Sequence, residues 1–228
     1  MKKLLLILLC VPLIGFGQDI PTIYAYSNLQ SNFIDWNQYE IDTLLSYEPL
    51  RCFNPSSTLS SQGNNNYNID KMSDCDPKTA WVEGASGFGI GESFEIEVER
   101  SHRDIYILNG YQKSVKSWQD NSRVKIFKVY FQGNNKHIGV NFNNPICFVM
   151  LNDKMGYQKI NLQEEIDHWM EENMPHLDPE LAGFELDGDG DLMNFLLIFE
   201  ISEVYKGERY SDVAISGLYH LFYNHNGR

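Results

Sequence analysis

Residues 93–99 read S-F-E-I-E-V-E, with Phe94, Ile96 and Val98 alternating against Glu95, Glu97 and Glu99. Successive side chains of an extended strand point to opposite faces, so a period of two describes a strand with one dry face and one wet face. The same texture recurs over 104–110 (D-I-Y-I-L-N-G), 123–131 (R-V-K-I-F-K-V-Y-F), 145–151 (P-I-C-F-V-M-L), 157–162 (Y-Q-K-I-N-L), 195–204 (F-L-L-I-F-E-I-S-E-V) and 213–223 (V-A-I-S-G-L-Y-H-L-F-Y), with Asn, Gly, Asp and Pro between the runs. No long amphipathic helix separates these strands, so they must bury their dry faces against one another. The pattern therefore predicts an all-β antiparallel sandwich. One segment breaks the rhythm. Residues 163–173 place Ile166, Trp169 and Met170 at helical spacing ahead of Pro175, which predicts a short amphipathic helix within an insertion over about 163–194.

The chain has 228 residues, 43% of them hydrophobic and 13% aromatic, enough for one sizeable domain with a real core. Its first residues combine Lys2 and Lys3, an apolar run from Leu4 to Ile14 and small residues at Gly15 and Gly17. This reads as a secretory signal peptide over 1–17, too short to span a bilayer. Leu9 precedes Cys10 where a lipobox needs a small residue, so the expected product is secreted or periplasmic without lipid and without stable membrane insertion. Removing two lysines leaves 16 cations against 31 carboxylates, moving the formal charge from −13 to −15. Such a chain repels phosphate backbones, which excludes nucleic acid as a partner.

Residues 18–56 are aromatic-rich without a clear period and read as an N-terminal extension, with a short helix near Ile41 to Tyr47. Asn54 to Asn68 is dense in turn formers and reads as a loop. The sandwich is then expected over 57–228. Cys52, Cys75 and Cys147 show no metal spacing; they suit either one disulfide, with Cys52 and Cys75 the nearer pair, or three buried thiols.

The run W-V-E-G-A-S-G-F-G-I-G-E, residues 81–92, places Gly87, Gly89 and Gly91 at alternate positions. A dinucleotide-phosphate loop follows a strand and opens a helix, whose N-terminus supplies the donors. Here Glu92 and an alternating strand follow, so a phosphate site fails on geometry and on charge.

Residues 72–81, M-S-D-C-D-P-K-T-A-W, resemble the D-x-x-P-x-T-x-W opening of coagulation factor 5/8 type C (discoidin-like, galactose-binding-like) domains. T-A-W-V-E-G with G-I-G-E, then I-L-N-G-Y-Q-K-S, N-S-R-V-K, M-G-Y-Q-K-I-N-L and V-Y-K-G-E-R-Y-S-D-V-A-I-S sharpen the resemblance to the NAD glycohydrolase translocation variant, over roughly Ser57 to Leu221. The resemblance implies an eight-stranded jelly-roll sandwich whose loops at one end bind sugars, lipids or proteins. In the streptococcal toxin behind the variant's name, such a domain serves delivery while a separate domain carries the activity. Too few residues lie outside the resemblance here for that second domain.

Sugar recognition needs a flat aromatic face beside amide, ammonium or guanidinium donors on loops held by a rigid sheet. Candidates are Glu83, Asn109, Tyr111, Lys113, Asn121 and Arg123, together with Tyr205, Lys206, Arg209, Tyr210 and Asp212 around the Gly207 turn. The simpler alternative is that Trp81 and Tyr111 pack and the charges cap strand ends. For metals, the resemblance points to Ca²⁺ at the D-x-x-P loop, with Asp74, Asp76 and Thr79 as oxygen donors, although Gly217 stands where the pattern expects an acid. Asp187, Asp189 and Asp191 in L-D-G-D-G-D-L form a second candidate, or else a solvated acidic turn; Leu192 and Ile198 stand where an EF-hand needs Gly and Glu.

No G-x-S-x-G or H-E-x-x-H motif occurs, and the six histidines are scattered. The sequence thus predicts a secreted non-catalytic module that binds a glycan or a cell-surface or secreted protein. A secreted hydrolase using carboxylates of the extension or insertion is the alternative.

Overall fold

The computed structural model describes residues 20–26, 45–99, 104–132, 142–176, 185–186 and 192–223. The strands in chain order are β1 (Thr22–Tyr24), β2 (Leu45–Pro49), β3 (Cys52–Phe53), β4 (Trp81–Val82), β5 (Ser93–Glu99), β6 (Asp104–Asn109), β7 (Arg123–Phe131), β8 (Cys147–Met150), β9 (Tyr157–Asn161), β10 (Glu185–Leu186), β11 (Leu192–Tyr205) and β12 (Ala214–Tyr223). Among the described residues two α-helices interrupt them, α1 (Val115–Asp120) and α2 (Gln163–Asn173). The described strands form a seven-stranded sheet in the order β1-β8-β7-β11-β5-β3, with β10 also on β11, and a five-stranded sheet in the order β2-β12-β6-β9, with β4 also on β12. The predicted all-β sandwich and every predicted strand are present, as is the helix at 163–173.

The alternation read in the sequence becomes the core. Phe94, Ile96 and Val98 of β5 are buried, as are Phe195, Leu197, Phe199 and Ile201 of its antiparallel neighbour β11. On β7 the buried positions change parity, from Val124 to Phe127, Val129 and Phe131. Register shifts in the β7–β11 pairing around Glu203 explain this, because one extra residue turns every following side chain over. Trp81, Phe94, Phe127 and Phe199 interlock at the centre with ring centroids 5.3 to 5.9 Å apart. Each fully buried ring contributes about 2–3 kcal/mol by area alone. Trp81 is thus a core residue, and its Nε1 donates to the Ser57 carbonyl at 3.1 Å.

Three features differ from the sequence expectations. The short helix expected near Ile41 to Tyr47 gives way at Leu45 to strand β2, paired with β12 from Leu45 to Pro49; the rest of that segment lies outside the described residues. Apolar Leu44 and Leu45 suit either state, and the free edge of β12 decides the outcome.

The N-terminal segment is also woven into the sheets. β2 extends the five-stranded sheet and β3 the seven-stranded one, while β1 runs parallel to β8. Immediately after β1, Tyr26 exchanges backbone hydrogen bonds with Lys159 of β9, at 3.0 Å each way. Residues 20–26 thus tie an edge of one sheet to an edge of the other, and Asn152 Nδ2 donates to the Ala25 carbonyl between them at 2.8 Å.

Helix α1 has no counterpart in the sequence reading. Ser114 opens it, its hydroxyl accepting from Ser117 N at 3.0 Å. Six residues are too few to show a helical period.

Candidate functional site

One end of the sandwich collects most of the residues singled out in the sequence. Bridges Gly110↔Ile215 and Ser122↔Val213 and the pair Ala214↔Val82 bring together the ends of β4 and β6 and the starts of β7 and β12. Three loops leave from there: the glycine loop 84–92, the α1 loop 110–122 and the loop 206–213. The last two are stapled together, with Glu208 N donating to Gln119 O at 2.9 Å and Tyr210 N to Asp120 O at 2.7 Å. Gly207 makes the contact close: a β-carbon there would lie 2.4 Å from Asn121 C and 2.5 Å from Asp120 O.

The polar candidates are mostly engaged by the frame. Asn109, 1% exposed, donates through Nδ2 to Val124 O at 2.7 Å and accepts from Val124 N at 3.0 Å, tying β6 of one sheet to β7 of the other. Arg123 forms a fork on Asp153 at 2.8 and 3.2 Å. Its remaining nitrogen donates to the carbonyls of Trp118 and Asn121, and the guanidinium lies 4.2 Å from the Trp118 ring centroid. Asn121 Nδ2 donates to Ser117 O at 2.8 Å. Glu83 is fully buried and accepts from Ala85 N and Val213 N, and burial pushes its carboxyl above the usual range.

The aromatic candidates divide. Tyr205 donates its hydroxyl to Leu151 O at 3.0 Å, and burial raises its phenol. Half-buried Tyr111 packs against Tyr67, Ala80, Val82 and Ala214. Tyr210 is 42% exposed, with the Arg209 guanidinium 5.1 Å from its ring centroid. Exposed Lys206 sets Nζ 4.8 Å from the Phe88 centroid, Lys113 is exposed, and Asp212 is half-buried with its carboxyl raised by burial. The named residues thus share one end of the fold, and most of their polar groups are taken up by contacts within the chain.

Side chains that the sequence reading passed over complete this end. Ile90 on the glycine loop is 65% exposed and Val115 at the head of α1 is 47% exposed. With Tyr210 they place one large apolar side chain on each of three loops. Alternation carries no information in loops, so the one available signal was their apolar character in otherwise polar turns.

Among the metal candidates, the carboxylates of the D-x-x-P loop are satisfied within the chain. Asp74 takes the Lys71 ammonium at 3.1 Å, the Thr79 hydroxyl at 2.9 Å and Asp76 N at 3.0 Å, while Asp76 accepts from Lys78 N at 2.9 Å. No group of three or more His, Cys, Asp or Glu poised for a metal occurs among the described residues. Asp187, Asp189 and Asp191 lie outside them, as does the signal-peptide segment. Cys52, Cys75 and Cys147 are free thiols, two buried and Cys75 exposed.

At the opposite end a groove of about 1080 Å³ runs between α2 and the start of β1, lined by Ile20, Pro21, Ile146 and Trp169 with acids of α2. Burial raises the carboxyl of Glu165 there, and neighbouring Glu164 adds to the effect.

Residues 46–221 match the NAD glycohydrolase translocation F5/8 type C domain. The chain belongs to that family. The match starts inside β2, so the translocation domain includes strands of the segment read as an extension. No curated protein matches. Among solved structures, the cryo-EM structure of the arabinofuranosyltransferase AftD from Mycobacteria is similar at 14% identity and a TM-score of 0.40, over 79% of this chain and 11% of that one. So loose a likeness carries no argument. No helix among the described residues is long and apolar enough to cross a membrane.

Proposed function

We propose that this translocation-family domain is a secreted, non-catalytic recognition module that docks on a partner's protein surface through the loop end of the sandwich. The observation that carries this reading is the set of exposed Ile90, Val115 and Tyr210, one from each of three loops on a rigid frame. Large apolar side chains grouped on a surface favour contact with another macromolecule. Lys113, Lys206 and Arg209 place cations around them in a chain of net charge −13, which favours an acidic rim on the partner. A glycan is the less favoured ligand. The amide and guanidinium donors it would need, on Asn109, Asn121 and Arg123, already serve the frame.

The test is binding of the labelled protein to cell envelopes treated with protease or with periodate. Loss on proteolysis, together with loss in the Ile90→Ser, Val115→Ser and Tyr210→Ser variant, supports the protein-surface reading. Loss on periodate alone moves the ligand to a glycan. Binding indifferent to the triple substitution overturns the loop-end assignment.

A second reading, a hydrolase, draws on the groove beside α2, where the N-terminal segment meets Glu164, Glu165, Asp167 and Glu171 of the insertion. A carboxyl raised by burial beside other carboxyl groups is what a general acid requires. Glycoside or ester turnover abolished by Glu165→Gln supports it; absence of turnover over a broad substrate panel removes it.

A further inference from the structure

The groove beside α2 combines an apolar floor with a rim of one sign. Ile20 and Pro21 lead into β1, Ile146 leads into β8, and Trp169 is held against Phe131 with ring centroids 4.0 Å apart. The rim is acidic: Glu164, Glu165, Asp167, Glu171 and Glu172 of α2 line it, with no lysine or arginine among the described lining residues. His168, the one lining side chain able to become a cation, stands 3.5 Å from Glu172. Lys159, on β9 just before the helix, is taken by Asp104 at 2.6 Å.

Helix stability does not account for these acids. Glu164, Asp167 and Glu171 follow one another at spacings of three and four, which sets like charges side by side on one helix face. Acids suit the first turn, where the dipole is positive, but Glu171 and Glu172 lie in the last turn, which holds no basic residue and where the dipole disfavours them. Asp167 at least accepts from the Gln163 amide at 2.7 Å. Exposed Glu164 and Glu171 have no cation partner among the described residues. A cation from outside the chain would relieve both arrangements.

We propose that this groove is a second recognition site, which takes a basic, partly apolar peptide segment of a partner protein. Lysine or arginine heads of the segment meet the α2 acids, and its apolar side chains cover the floor. At about 1080 Å³ the groove lies at the upper end of the range for small-molecule pockets, roughly 300–1,000 Å³, and suits several consecutive residues rather than one small metabolite. The acids select the sign of the partner, and the floor supplies the apolar burial that a bare polycation would not use. Lys113, Lys206 and Arg209 lie at the other end of the sandwich, so the two ends select surfaces of opposite charge. The groove site does not depend on the loop-end reading.

Fluorescence anisotropy of a labelled hexapeptide of alternating lysine and leucine tests it on the whole protein, in about 0.15 M salt, where attraction is screened beyond about 8 Å. Glu164→Gln combined with Glu171→Gln should weaken binding roughly tenfold, in keeping with the loss of two ion pairs. Asp70→Asn combined with Glu95→Gln makes the same change in net charge at residues that do not line the groove, and should alter binding by less than about twofold. Ile20→Ser should weaken it as well, and an all-lysine hexapeptide should bind less tightly than the mixed one. Equal losses in the two double variants would reduce the binding to net charge and overturn the site. So would an all-lysine peptide that binds as tightly, or no saturable binding of the mixed peptide. All these variants leave Ile90, Val115 and Tyr210 in place, so a failure here is separate from a failure of the loop-end surface on cell envelopes.

Discussion

Gly89 and Glu83 are in contact so close that no side chain fits between them: a β-carbon on Gly89 would lie 2.8 Å from both Cγ and Cδ of Glu83. Gly87, two residues earlier, has φ +109° and open space around it, whereas Gly89 combines φ +61° with the contact. Both substitutions to alanine should destabilise, Gly87→Ala by about 1 kcal/mol from backbone strain and Gly89→Ala by about 2–4 kcal/mol from strain plus the clash. Urea unfolding checks the order; equal losses would mean that the contact with Glu83 yields.

Gly207 isolates the contact term, because its neighbours are backbone atoms of 120–122 rather than a movable side chain, and its φ is not in the left-handed region. Gly207→Ala should cost about 2–4 kcal/mol and release the staple between the loops. Faster amide exchange at Glu208 and Tyr210, which bond to the α1 carbonyls, would report the release.

Arg123 is 6% exposed, and its fork satisfies Asp153 and two carbonyls of the α1 loop. Arg123→Met leaves those carbonyls without donors and should lower stability by about 2–4 kcal/mol. Arg123→Lys should recover only part of the loss, since an ammonium cannot reproduce the planar fork over Trp118. Thermal unfolding of the two variants makes the comparison.

The thiols should differ in reactivity. Burial pushes Cys52 up to about 12 and Cys147 higher still, while Cys75 is exposed and raised by partial burial and by Asp74. Only the thiolate alkylates, so brief iodoacetamide treatment of the native protein at mildly alkaline pH should label Cys75 and leave Cys52 and Cys147 unmodified until denaturant is added. Peptide mass spectrometry reads the result.

Residues 20–26 tie β8 of one sheet to β9 of the other. Deleting them should uncover two strand edges and shift the protein toward larger species in size-exclusion chromatography. An unchanged elution profile would show that those edges are protected by other means.

The sandwich was legible in the sequence because alternation is a local property. Phe94, Ile96 and Val98 have to face away from Glu95 and Glu97 whatever the strand pairs with. The same locality explains the errors. The six residues of α1 cannot display a period, and Leu45 joined a strand because β12, more than 170 positions later in the chain, offers it an edge. The motifs around Trp81, Gly110 and Gly207 lie at one end of the fold, yet they did not show how their polar groups are used.

That use was decided by tertiary structure. The residue types at Asn109, Arg123 and Glu83 are those of a ligand site, but their partners are Val124, Asp153 and Val213, separated from them by 15, 30 and 130 positions. A donor recognises whatever acceptor the fold brings within about 3 Å, and sequence spacing does not fix that distance. Sequence alone determined which faces are dry and where the chain turns; only the packed sandwich decided that Asn109, Arg123 and Glu83 build the frame while Ile90, Val115 and Tyr210 face outward.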